Sequence, residues 1–229
     1  MHLADAHYPL SPLNMPPTIL DHAEGMLVHS ARKRVCIYGA GRGREEAPLD
    51  DISWEVWALN LVPPMAADNT LRCDRWFDIH QRTAQTPDDM RWIATCPVPI
   101  YVPQDLLRTG PNCVRYPQRI LNKYASAPFA CTFAYQIALA LEEKFEEIGL
   151  YGVELAYGTA RERTVEWAST SWWIGYATAK GVKFTTPEKS RLGIHPKLYG
   201  FDYDAEIADV DEYIKASYML PLYGKSQGG

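Results

Sequence analysis

The run RVCIYGA (34–40) constrains the fold more than any other stretch. It lacks the polar alternation of a half-exposed strand, so both of its faces must be covered. A strand buried on both sides belongs in a parallel sheet with helices packed above and below. EVWALN (55–60), RWFDIH (75–80), PIYVP (99–103), EIGLYGVEL (147–155) and VKFTTP (182–187) read as further strands. Between them, DDMRWIATC (88–96), ACTFAYQIALALEEKF (130–145) and RERTVEWASTSWWIGYATAKG (161–181) carry helical spacing. Gly181 closes the last of these as a C-terminal stop. Strands alternating with helices predict an α/β fold with an open, mostly parallel sheet flanked by helices.

The chain has 229 residues, 47% hydrophobic and 22% charged, enough for one compact domain with additions. Residues 1–30 are rich in Pro and His and read as an irregular N-terminal arm. Residues 31–195 form the nucleotide-binding domain in this reading. Residues 196–229 form a C-terminal extension, rich in Tyr, with one helix over about 204–218. No apolar run approaches the roughly 18–20 residues of a membrane span. The N-terminus lacks a signal-peptide pattern, so the expectation is a cytoplasmic protein. The five cysteines are odd in number and show no CxxC spacing. That predicts free thiols in a reducing compartment and no metal site.

Net charge is -5, but residues 30–125 carry 13 Lys/Arg against 11 Asp/Glu. Arg32, Lys33, Arg34, Arg42 and Arg44 gather around a glycine turn and Arg72, Arg75, Arg82 and Arg91 follow along the chain, so that a local patch could meet phosphates, or these could be solvated surface cations. The overall charge argues against a nucleic-acid partner while leaving one open.

Ligands of open α/β sheets bind beyond the carboxyl ends of the strands. After the first strand comes Gly39-Ala40-Gly41-Arg42-Gly43-Arg44. Glycines let backbone amides approach an anion, and a following helix N-terminus would add its dipole. After the second strand, Asn60 offers a donor and an acceptor. After the third come Asp78 and His80, two apart and therefore on one face of a strand, with His80 suited to proton transfer. Glu154 follows the strand at 147–155, and Glu162 and Glu166 lie one turn apart on the next helix. His195 is a second candidate for proton transfer. Each of these residues has a plain structural alternative: tight turn, turn cap, hydrogen-bonded pair, solvated helix face.

The order of these pieces resembles the Rossmann-like group that contains bacterial CMP-sialic acid-dependent sialyltransferases, 6-hydroxymethylpterin diphosphokinase-like proteins and phage-encoded relatives. The resemblance rests on GAGRG after the first strand, WALN, RWFDIH, FAYQIALALEEKFEEIGLYGVEL and WWIGYATAKGVKFTTPEKSRL, over about residues 34–192. It implies that Gly39, Gly41, Gly43 and Asn60 contact the phosphate region of a nucleotide sugar. It also makes Ser126 and Thr132 nucleotide contacts. Two positions depart from the group: Arg44 stands where a Ser is common, and Glu154 where Asp is common. The group's catalytic His after this strand has no counterpart in 156–194, so the base must be His80, His195 or a carboxylate.

The expectation is a nucleotide-sugar-dependent glycosyltransferase using a CMP- or UDP-linked donor, with Mg²⁺ an optional companion of the phosphates. Modified nucleic acid is an acceptor to test, and a phage origin would fit the group. Arg42 or Arg44 would offset leaving-group charge, and His80 would act as base. Alternatives are nucleotide N-glycosidic cleavage or deoxyribosyl transfer through Glu154 or Glu166, non-catalytic sequestration of a nucleotide, and a diphosphokinase needing ATP and Mg²⁺. Exposed aromatics in the tail leave a homodimer open.

Overall fold

The computed structural model describes residues 30–60, 72–155, 159–187, 190 and 192. All but the last residue of the expected arm (1–30), the C-terminal extension and His195 lie outside the described residues.

Seven strands among these residues form one sheet: β1 (Arg34–Tyr38), β2 (Trp54–Leu59), β3 (Arg75–Phe77), β4 (Ile100–Val102), β5 (Cys113–Arg115), β6 (Glu147–Tyr151) and β7 (Lys183–Thr185). Their order is β5-β4-β3-β2-β1-β6-β7. Every pairing is parallel. The α-helices are α1 (Pro87–Thr95), α2 (Gln118–Lys123), α3 (Thr132–Glu142) and α4 (Trp167–Ala179). The chain fills the sheet outward from β1 on one side, then returns to β6 on the other. The order therefore reverses between β1 and β6, where open α/β sheets leave a crevice.

Residues alternate between two cores, as strand geometry requires. Val35, Ile37, Trp57, Leu59, Phe77, Tyr101, Ile148 and Leu150 pack against helices α2, α3 and α4. Cys36, Tyr38, Val56, Ala58, Trp76, Ile100, Val102 and Tyr151 pack on the other side with Ile93 of α1 and Leu106. Trp57 and Trp173 are fully buried. Ala134 and Ala138, one turn apart and fully buried, give α3 a thin face towards the core. Helix α1 starts where its caps dictate. Thr86 and Asp89 form a reciprocal capping box and Pro87 takes the first position.

Three departures from the expected elements have physical causes. β5 and α2 are new, spanning three and six residues, too short to show a period. No α-helix follows the glycine turn. Only the 3-10 turn Arg44–Glu46 does, and the chain then reaches β2 through Pro48 and Asp51. The expected helix dipole at that turn is therefore missing.

Buried beneath β2 and β3 lies an ionic cluster. Arg75 Nε sits 2.5 Å from Glu55 Oε1, and its Nη1 donates to Glu143 Oε1 at 2.7 Å. Trp57 Nε1 donates to Glu55 at 2.9 Å, and the Arg75 guanidinium lies 4.7 Å from the Trp57 ring centre. Arg75, Glu55 and Glu143 are all buried. The expected basic patch is thus largely spoken for: Arg75 is internal, Arg32 pairs with Asp74 at 2.7 Å, and Arg34 with Asp51 at 3.4 Å. The five cysteines are free thiols. Burial pushes Cys36 and Cys96 up to about 12, which leaves them unreactive near neutral pH.

Candidate functional site

A cleft of about 540 Å³ opens beyond the carboxyl ends of β1, β2, β3 and β6. Its position follows from the strand order. Helix α3 enters with its N-terminus at the cleft: Thr132 and Phe133 line it together with Cys131, the N-cap. The segment before α3 is pinned by α4. Ser169 Oγ donates to Pro128 O at 2.9 Å, Trp173 Nε1 to the same carbonyl at 2.7 Å, and Ala130 N to Ser169 Oγ at 3.2 Å. Cys131 Sγ lies 3.2 Å from Thr170 Oγ1, and burial raises its thiol above the ordinary value.

His80 lines the cleft at the end of β3. Its Nδ1 lies 3.0 Å from Asp78 Oδ1, and the same oxygen accepts from Gln85 Nε2 at 2.9 Å. Asp78 is buried, whereas half of the His80 side chain is exposed. A carboxylate at Nδ1 keeps the proton there in the neutral ring and leaves Nε2 with the free lone pair. The hydrogen bond to Asp78 raises the proton affinity of His80, burial opposes the shift, and the charges of Asp78, Glu166 and Asp89 add to it. Buried orienting acid, imidazole and open cleft stand in the order that general-base catalysis needs.

The glycines turn out to serve a backbone crossing. Gly39 N donates to Tyr151 O and Gly41 N to Gly152 O, each at 2.8 Å. A Cβ on Gly39 would lie 2.4 Å from Gly152 O, and one on Gly41 2.8 Å from the same atom. The loops after β1 and β6 therefore touch backbone to backbone, and these two amides are already used. Gly43, with φ 75°, turns into the 3-10 segment against Pro187. Of this turn, Ala40 and Gly41 reach the cleft wall, while Arg42 and Arg44 are not among its lining residues. Arg44 Nη1 instead reaches back to Ala40 O at 3.4 Å.

Asn60, Thr132, Glu154 and Glu166 all line the cleft. Asn60 sits at φ 51°, held by its amide on Phe77 O and by Trp76 Nε1 on its carbonyl, both at 2.8 Å. Its side-chain Oδ1 is buried with no hydrogen-bond partner among the described residues. Thr132 is 7% exposed. Ser126 is exposed, at the turn after α2, and does not line the cleft.

Glu162, paired in the sequence with Glu166, lines the cleft too, and four residues that no pattern marked complete the wall: Phe129, Phe133, Tyr135 and Arg161. Arg161 could not be singled out because nothing in RERTVEW marks one exposed charge above its neighbours. The lining carboxylates Glu154, Glu162 and Glu166 face one arginine and His80. Among the described residues, no group of three or more His, Cys, Asp or Glu side chains could hold a metal ion. No described helix is long and apolar enough to cross a membrane.

No protein-family profile matches the chain, and no curated protein matches its sequence. Two solved structures are similar to it at a distance. The monofunctional alpha-2,3-sialyltransferase Cst-I from Campylobacter jejuni shares 11% identity, with a TM-score of 0.42 over 73% of this chain and 80% of that one. The apo form of an alpha-2,3-sialyltransferase from Campylobacter jejuni shares 11% identity, with a TM-score of 0.43 over 85% of this chain and 99% of that one.

Proposed function

We propose that the cleft transfers a glycosyl group from a nucleotide-linked donor to an acceptor hydroxyl, with His80 as the base. The carrying observation is the Asp78–His80 pair, 3.0 Å apart, at the mouth of the switch-point cleft. Nε2 takes the acceptor proton as the acceptor oxygen bonds to the anomeric carbon. The bond from that carbon to the phosphate oxygen breaks, and its electron pair leaves with the phosphate. Thr132 and the first turn of α3 offer the leaving group a hydroxyl and a helix dipole. Asn60 Oδ1 offers an acceptor to a donor N–H or O–H. The aromatic wall of Phe129, Phe133 and Tyr135 suits a base or sugar face. The glycine turn shapes the floor and leaves charge compensation to other groups. A CMP- or UDP-linked sugar fits this description, and a modified nucleic acid remains one acceptor to include.

A second reading has its own support. Three lining carboxylates against one arginine suit an electron-poor anomeric carbon, as in nucleotide N-glycosidic cleavage or deoxyribosyl transfer. Glu154 or Glu166 would then act on the sugar.

Incubation with CMP- and UDP-linked sugars and with deoxynucleotides, with and without Mg²⁺, separates the two. Transfer requires an acceptor and releases intact nucleotide, whereas cleavage releases free base without one. His80→Gln should slow the first by about 10²–10⁴ and spare the second. If no donor is consumed and none raises the melting temperature, glycosyl chemistry is the wrong class. At 100 times its Kd a true ligand adds about 2.7 kcal/mol. Stabilisation with every ligand recovered intact would indicate sequestration.

A further inference from the structure

Residues Glu162–Glu166 form a π-turn that runs into α4. In an α-helix, residues five apart point about 140° away from each other and do not meet. Hydrogen bonds from i to i+5 stack them one above the other. The π-turn thereby brings Arg161 Nε to 3.1 Å from Glu166 Oε1. The same guanidinium donates through Nη2 to Ala130 O at 3.3 Å. Ala130 directly precedes Cys131, the N-cap of α3, which makes no side-chain cap hydrogen bond. Arg161 is therefore hung at the threshold of the first turn of α3. Beside it stands Thr132, 7% exposed and lining the cleft. Cys131 Sγ, 3.8 Å from Glu166 O, ties the π-turn to the same threshold.

We infer that Arg161 and Glu166 are an exchangeable pair: an incoming phosphate-type anion takes the guanidinium from Glu166. The nature of the anion rests on the glycosyl-transfer reading; the exchange rests on the π-turn. The competition favours the anion. The Arg161 side chain is 65% exposed and that of Glu166 20%, so their contact is a rim pair that water and salt weaken. A phosphate offers the guanidinium two oxygens at once and also meets the positive end of α3.

The test is a double-mutant cycle on inorganic pyrophosphate binding by calorimetry, using the full chain. Arg161→Gln should weaken binding by about tenfold, the loss of one charge-assisted contact. Glu166→Gln should tighten it several-fold, because the competitor is gone. In the double variant that tightening should vanish. Equal tightening with and without Arg161 would mean that Glu166 merely repels anions, and would overturn the exchange. Failure of the wild type to bind pyrophosphate would overturn it as well. Arg161→Lys keeps the charge without the fork, and should fall between wild type and Arg161→Gln. Donor turnover is scored separately. Intact transfer with additive binding removes the exchange alone, and absent transfer with a non-additive cycle removes the glycosyl-transfer reading alone.

Discussion

Two polar clusters sit at opposite ends of the same three elements. At the amino end, Glu55 of β2, Arg75 of β3 and Glu143 at the end of α3 close on one another. At the carboxyl end, Asn60 follows β2, Asp78 and His80 follow β3, and Thr132 opens α3. The first cluster is buried, and each of its charged groups has an ion-pair partner within it. In the second, Asn60 Oδ1 has no partner among the described residues and His80 keeps one face open. A fold can afford unmatched polar groups where a ligand supplies the match, whereas a buried guanidinium between two carboxylates has to be complete. The amino-end cluster also fixes α3 against β2 and β3, which sets how Thr132 and His80 face each other across the cleft.

The largest expected effect lies in the closed cluster. Arg75→Met strands two buried carboxylates and should cost about 3–5 kcal/mol in urea denaturation. His80→Gln removes one hydrogen bond from a half-exposed ring and should cost no more than about 0.5–1.5 kcal/mol. Turnover should reverse this order, with His80→Gln slowing transfer by about 10²–10⁴. Similar stability losses for both variants would erase the distinction between the two ends.

The two ends also differ in how much of them the sequence disclosed. The strands were legible because apolar runs such as RVCIYGA leave little else for them to be. Asp78 and His80 were legible because a two-residue spacing at a strand end puts them together. The expected strand face is not what joins them, however: β3 ends at Phe77, and the pair meets in the segment just past it through the Nδ1–Oδ1 contact. The amino-end cluster was hidden: Arg75 looked like one of several surface cations, and Glu143 lies 68 residues away in the chain. The glycine turn was misleading in a specific way. GAGRG suggests phosphate, but its first two glycines are needed because β6's tail passes within backbone contact. That contact joins residues more than a hundred apart, beyond the reach of local pattern. The pairing of Arg161 with Glu166 was invisible for another reason: it needs a π-turn, whereas α-helical spacing pairs Glu162 with Glu166.

The pH dependence sharpens the contrast. Asp78 holds the His80 proton, so the ring's affinity lies above the ordinary 6.5. The charged ring is the form favoured by folding. Its contribution to stability is therefore complete below about pH 6.5 and fades as pH rises through the raised value. Turnover should run the other way, since a base must be neutral, and kcat/KM should climb over that window. Asp78→Asn should move the climb towards lower pH. A limb that stays put would assign the titration to another group.

Smaller effects are expected where a polar atom waits for a ligand. Thr132→Val removes the hydroxyl and keeps the branched shape. It should weaken donor binding by about 0.5–1.5 kcal/mol, or roughly three- to tenfold. Stability should change by less than about 1.5 kcal/mol, the worth of a single hydroxyl hydrogen bond. A larger fall in stability with unchanged donor affinity would make Thr132 a helix-start residue and nothing more.

Asn60 gives the finest discrimination, because its backbone and its amide can be separated. At φ 51° it occupies the left-handed region, which Asn tolerates and Ala does not. Asn60→Gly keeps that conformation and removes only the amide. Asn60→Ala removes the amide and adds roughly 1–2 kcal/mol of strain. If the amide exists for the donor, both variants should lose donor affinity by the same factor, while only Ala lowers the melting temperature appreciably. If Asn60 is there for its turn, Gly should bind the donor as well as Asn does, and only Ala should be impaired. The backbone bonds from Asn60 to Phe77 and Trp76 survive in both, so the strand end stays in place and the difference reports on the side chain alone.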